Sequence, residues 1–358
     1  MILMKNGSTG FGKAWLVVAL ISWTQLSLAQ DPHFSQYISA PLLLNPAAAG
    51  LINGSYRMNL NYRDQWNKIE GSDYKTVAFS GDMNFIPPLK GFRNDLMGIG
   101  LSFLSDKSPG FDFNTNELAM YVAYHKRTGK NQFLSFGTKL GILQRGVNYE
   151  NLTFGDQYVE GSGYSNNSRE VLPENNISST ELSLGLNYSW SASESKGLTL
   201  GISMHHITSP DFSFFNLSPP LGIEPIKQPL YGLLSFHATG AMPMSGDQMV
   251  FMPRIWILNQ GPHFQLNTGA LIKLPLNQDG NNSLFAGGYL RMVKGVRSVA
   301  LESFVPHIAF GLGSVNLGLS YDANLRRFAP SYFQQSVFEL SIALIGNYDN
   351  ASFFCPRF

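Results

Sequence analysis

Apolar and polar residues alternate in this chain for stretches of about ten residues, and no other feature constrains its fold as strongly. Between Gly54 and Arg63, Tyr56, Met58, Leu60 and Tyr62 alternate with Arg57, Asn59, Asn61 and Arg63. An extended strand sends successive side chains to opposite faces, so the segment has one apolar and one polar face. Leu96–Leu104 sets Met97, Ile99, Leu101 and Phe103 against Gly98, Gly100 and Ser102. Glu117–His125, Thr180–Tyr188 and Gln335–Ile345 repeat the pattern. Such segments start near residues 54, 74, 95, 115, 132, 180, 198, 229, 248, 263, 283, 299, 314 and 334. After Gln30 no stretch carries the helical period. Two segments are irregular: Pro253 and Pro306 lie inside them, and a proline cannot donate to a ladder.

Two-faced strands suit a secreted sandwich or a membrane barrel, and charge separates the two. Of 358 residues, 25 are Lys or Arg and 24 are Asp or Glu, or 14%, against about 25% in an average protein. The outer face of a sandwich is usually charged, whereas the polar face here is mostly Gly, Ser, Asn and Thr. That face suits a barrel lumen, and lipid accounts for the uncharged other face. The two long gaps, near 143–179 and 207–228, both follow odd-numbered strands, as the outer loops of such a barrel do. The expected fold is all-β: a transmembrane antiparallel β-barrel of about 14 strands over residues 54–346, with periplasmic N- and C-termini. Residues 30–53 and 347–358 are then a periplasmic N-terminal segment and tail. The near-zero net charge argues against a nucleic-acid partner.

The N-terminus reads as an address. Lys5 and Lys13 precede the apolar run Ala14–Trp23, and Ser27-Leu28-Ala29 fits a cleavage site. Residues 1–29 are expected to be a signal peptide, with an N-terminal membrane anchor as the other reading. The expected location is the outer membrane of a Gram-negative bacterium.

Catalytic chemistry finds no support. No G-x-S-x-G elbow or phosphate loop occurs, and no histidines pair at metal-binding spacing. His205 and His206, adjacent at a strand end, should point to opposite faces. Cys355 has no partner cysteine. No enzyme activity, metal or cofactor is expected. Inward Arg57, Arg63, Lys139, Glu181 and Lys273 line either a channel or, preferably, a salt-bridged and filled lumen. The longest gap, with Tyr149, Phe154, Asp156, Tyr158 and Glu160, reads as a partner-binding surface, because loops this long are usually functional or disordered. The segment Asp31–Gly50 is too apolar for a linker. Three placements are open to it: against the barrel base, in the lumen, or on a partner.

That segment, DPHFSQYISAPLLLNPAAAG, followed by YRMNLNYRDQW, resembles the opening of the PorP/SprF family of type IX secretion and gliding-motility outer-membrane proteins. LTFGDQY at Leu152–Tyr158, LGISMHHITSPDFSF at Leu200–Phe214, LGLSYDANLRRF at Leu317–Phe328 and the terminal CPRF resemble further family blocks in the same order. Ala47-Ala48-Ala49 and His33 depart from the family pattern. The resemblance implies a non-catalytic barrel that anchors or helps deliver a secreted surface adhesin through its C-terminal signal domain. It also allows coupling to a periplasmic, peptidoglycan-linked component. The competing reading is a porin for small solutes. The blocks nominate Asp31, Phe34, Tyr37, Pro41, Asn45, Pro46, Phe154, Asp156, Gln157, His206, Pro210, Tyr321 and Asp322 as partner contacts. Asp31–Asn45 is expected at the barrel base or on a periplasmic partner.

Overall fold

The computed structural model describes residues 31–66, 74–87, 95–109, 113–149, 152–170, 172–193, 195–214, 227–244, 249–277, 281–294, 298–325 and 337–347. The proposed signal peptide, Cys355 and nearly all of the C-terminal tail lie outside them. Five strands open the barrel: β1 (Tyr56–Gln65), β2 (Tyr74–Phe85), β3 (Leu96–Ser108), β4 (Phe113–Gly129) and β5 (Gln132–Gly146). A small loop hairpin follows, β6 (Tyr158–Val159) and β7 (Gly163–Tyr164). The barrel resumes with β8 (Asn176–Ser193), β9 (Lys196–His205), β10 (Leu233–Met244), β11 (Met249–Gln260) and β12 (His263–Pro275). It ends with β13 (Asn282–Lys294), β14 (Val299–Leu312), β15 (Val315–Asn324) and β16 (Val337–Gly346). The 14 wall strands pair antiparallel in chain order, and β1 pairs β16 to close the barrel.

Burial is inverted relative to a water-soluble protein. Leu101 is 60% exposed and Leu118 58%, whereas Glu181, Ser183 and Ser135 are fully buried. A face of bare leucine is stable only where its solvent is lipid, and the polar face must find its hydrogen bonds inside the barrel. Closure leaves no unpaired edge.

Both irregular segments are continuous strands. Pro253 pairs Ala270 on its β12 side, but the β10 ladder skips from Thr239–Arg254 to Met242–Phe251. Pro306 pairs Gly288 on its β13 side, and the β15 ladder skips from Phe304–Ala323 to His307–Ser320. Each proline thus interrupts only the ladder on one side.

Residues 147–175 and 206–232 connect β5 to β8 and β9 to β10, so both lie at the same end of the barrel. This is called the long-loop end here. The other, where β1 begins and β16 finishes, is the terminus end.

Candidate functional site

Of the three placements open to the N-terminal segment, the chain takes the lumen, which corrects the expectation that Asp31–Asn45 sits at the barrel base or on a partner: Ser35, Gln36 and Asn45 bond to the inner wall. Prolines open two short helical turns, Pro41–Leu44 (α1) and a 3-10 turn at Pro46–Ala48. Proline suits that position because the first N–H of a helix has no partner within it. The Asn45 side chain accepts from Ala47 N at 2.9 Å and caps the second turn. Phe34, Tyr37, Leu42, Leu44, Asn45, Ala47 and Ala49 are all buried.

The wall is shaped to receive this segment. Gly98, Ala123, Gly137, Gly185 and Ser203 form one register row across β3, β4, β5, β8 and β9. A Cβ on Gly98 would stand 1.8 Å from Ala49 O, and one on Gly185 2.0 Å from Asn45 Oδ1. At these two glycines the side chain is missing where the Ala49 backbone and the Asn45 side chain need the room. Polar contacts then fix it. Asn45 Nδ2 donates to Leu186 O at 3.0 Å, and Ser203 Oγ to Leu44 O at 2.9 Å. The buried His125 donates from Nε2 to Ala49 O at 2.8 Å. Arg57 donates to Ala48 O at 3.2 Å and pairs with Asp82 at 2.7 Å, and Asp82 also accepts from Gly50 N at 2.8 Å.

The segment's other end is clamped where the barrel closes. Glu339 on β16 accepts from Ser35 N at 2.8 Å and Gln36 N at 2.9 Å, and pairs with Arg63 of β1 at 2.7 Å. Arg63 also donates to His33 O at 2.8 Å. Ser35 Oγ donates to Asp322, accepts from Arg291, and Arg291 pairs with Asp322 at 2.7 Å. Tyr37 stacks on Trp256 with ring centres 4.7 Å apart.

One strand gives the direction of travel. Arg57, near the start of β1, holds Ala48, while Arg63, near its end, holds His33. That separation is about 20 Å along a strand. The segment therefore runs the length of the lumen, with His33 toward the long-loop end and Gly50 at the terminus end.

Under the long-loop rim lies a second polar cluster. Lys139 pairs with Glu117 at 2.8 Å and Glu181 at 2.7 Å, and His206 Nδ1 lies 3.1 Å from Glu181. The expectation that His205 and His206 point to opposite faces is corrected: both are buried. His206 takes a φ of +57°, which ends the extended backbone on which alternation depends. The connection beyond it folds inward, with Phe212 packed against Leu143, Ile177 and Leu230. Pro210 is buried and its carbonyl accepts from Leu230 N at 2.9 Å.

The other connection forms a small, tied structure. Asp156 accepts from Arg169 N at 2.5 Å and from Ser168 Oγ at 3.0 Å. The Arg169 backbone N–H holds the Asp156 carboxyl below the usual carboxylate range, with the Ser168 hydroxyl adding to it. Gln157 Oε1 accepts from Phe154 N at 2.7 Å. The β6–β7 hairpin brings Tyr158 and Tyr164 ring to ring at 5.5 Å, each 58% exposed.

The nominated contacts therefore separate into groups. Phe34, Tyr37, Pro41, Asn45 and Pro46 face the barrel's own interior; Asp31, at the edge of the described chain, is half-buried. Phe154, Asp156 and Gln157 shape the rim loop, and His206 and Pro210 the inward-folded one. Tyr321 faces outward and Asp322 inward, so this neighbouring pair cannot share one contact surface. Ser35, Gln36, Arg291 and Glu339, which hold the lumen together, were not singled out from the sequence. Alternation marks a residue as inward-facing but does not tell which inward residues meet.

Solved structures with a similar course include the CymD monoaromatic hydrocarbon channel, with 9% identity and a TM-score of 0.48, covering 87% of this chain and 93% of that one. A TodX monoaromatic hydrocarbon channel deltaS2 mutant gives 11%, 0.48, 87% and 94%. CdiB from Acinetobacter baumannii gives 11%, 0.42 and 81%, and this chain spans 60% of its length. No curated protein matches the sequence. The sequence model of one family, "Type IX secretion system membrane protein PorP/SprF", matches residues 26–344, nearly the whole chain. With its closed barrel and lipid-suited wall, the chain belongs to the PorP/SprF family of type IX secretion membrane proteins and is an outer-membrane barrel.

Proposed function

We propose that this barrel is a non-catalytic part of the type IX secretion or gliding machinery that anchors or helps deliver a secreted adhesin at its long-loop end. The observation that carries the reading is the occupied lumen: the chain's own N-terminal segment runs through it, from the Arg63–Glu339 clamp to Gly50. A barrel filled lengthwise by its own chain is poorly suited to pass a folded client, so work on a client falls to its surfaces. The tied 152–170 loop, with Tyr158 and Tyr164 exposed, favours the long-loop end. Exposed aromatic groups on a preorganised loop lose little entropy on binding. In this reading the long loops face the cell exterior, and the adhesin's C-terminal signal domain is the partner. Coupling to a peptidoglycan-linked component through the terminus end is compatible with it.

The test is deletion of the gene, with surface display of the adhesin followed on intact cells. Loss of display is expected, and unchanged display overturns the proposal. A Tyr158→Ala, Tyr164→Ala variant should keep the barrel in the membrane and retain less adhesin. The competing porin reading gains if the unaltered protein gives conductance steps in a planar bilayer.

A further inference from the structure

We propose that the barrel encloses a latent pathway for ions and small hydrophilic solutes, which its own N-terminal segment keeps shut. Three observations carry this. The segment occupies about 20 Å of the lumen along β1 alone, a column wide enough for a polypeptide with its side chains. Leaving, it would vacate that cross-section.

The wall beside it is polar and supports itself. Asn59, Asn61, Ser80, Ser102, Ser135 and Ser203 are buried on the inward face. The lumenal charges pair strand to strand: Arg57 with Asp82, Arg63 with Glu339, Arg291 with Asp322, and Lys139 with Glu117 and Glu181. None of these pairs needs the segment. Its departure removes backbone and hydroxyl donors from Glu339, Asp82 and Asp322 but leaves each of these paired charges with its partner.

The lumen also holds polar groups that the protein itself does not engage. Tyr37 Oη on the segment, and Asn61 Nδ2, Thr239 Oγ1, Asn267 Nδ2, Ser303 Oγ and Ser320 Oγ on the wall, are buried with no protein hydrogen-bond partner among the described residues. Such groups suit a lumen that water can fill, and the closed state is held by the two clamps, at Ser35–Gln36 and at Asn45–Gly50.

Planar-bilayer recording of the purified full chain tests this, independently of which partner the rim takes. The unaltered protein should be silent. A Gln36→Glu, Ala47→Leu variant sets like charge against Glu339 and adds bulk where the fully buried Ala47 has no room, without altering the wall. It should give resolved conductance steps while keeping the heat-modifiable migration of a folded barrel. Conductance of the unaltered protein equal to the variant's overturns the seal, and a folded but silent variant overturns the pathway. Urea titration of the unaltered protein is the second measurement, free of any folding defect. Conductance should begin at a lower urea concentration than barrel unfolding, and onset only with unfolding overturns the proposal.

Discussion

At Glu339 one carboxylate accepts two backbone N–H groups of the N-terminal segment and pairs with Arg63 across the first-to-last strand seam. Removing one partner of a buried pair leaves the other uncompensated, at about 3–5 kcal/mol. Glu339→Gln should therefore lower the unfolding free energy of the heat-modifiable barrel by that order, read as a lower urea midpoint. An unchanged midpoint would mean that the clamp does not hold the seam. Gly98 is demanding for a steric reason, since an added Cβ would meet Ala49 O, a backbone atom that cannot swing aside. Gly98→Ala should cost about 1–3 kcal/mol and make residues 32–50 more open to protease in detergent. On the opposite face, Leu101→Lys puts charge into lipid and should cost up to about 2–4 kcal/mol, read as a loss of folded barrel in bilayers. The sequence showed Leu101 and Gly98 to be on opposite faces. It did not show that Gly98 makes room for Ala49, because that contact joins residues brought together only by closure.

In the rim loop the Asp156 carboxylate ties the chain back at Ser168 and Arg169. With its pKa held below the ordinary aspartate value of about 3.9, Asp156 contributes its tie fully above that value. The tie is lost as pH falls through the lower, folded value. Hydrogen exchange should find the Arg169 amide protected at neutral pH and unprotected in strong acid. Asp156→Asn should weaken that protection near neutrality; equal protection in both proteins would show that the charge is not what ties the loop. The strands teach a different lesson. Their alternation located them closely, because each must keep one face for lipid over its whole length. Pro253 and Pro306 looked like defects in the sequence, yet each strand bonds a neighbour at its proline and gives up only the ladder on the other side. That outcome depends on which neighbour the missing N–H would have faced, and a strand's own residues do not state it.

For the whole molecule, the direction of the lumenal segment sets the end of the barrel toward which His33 lies. If His33 lies toward the long-loop end, cysteines placed at Pro32 and Tyr158, in a Cys355→Ser background, should react with an impermeant maleimide from the same side of the membrane. Labelling of the two from opposite sides would refute the course described for residues 32–50, whichever way the barrel is oriented. The sequence by itself determined the barrel class, the places of its strands, the two long connections and the solvent of each face. These follow from local alternation and from the inability of lipid to hold charge or unpaired backbone. Only the tertiary structure decided what fills the lumen. The segment Pro32–Gly50 is apolar enough to seek burial, but three burial sites were open to it. The choice was made by a row of small residues from five strands and by a clamp between the first strand and the last. Neither exists until the barrel is closed, since each is made of residues that closure brings together from distant parts of the chain.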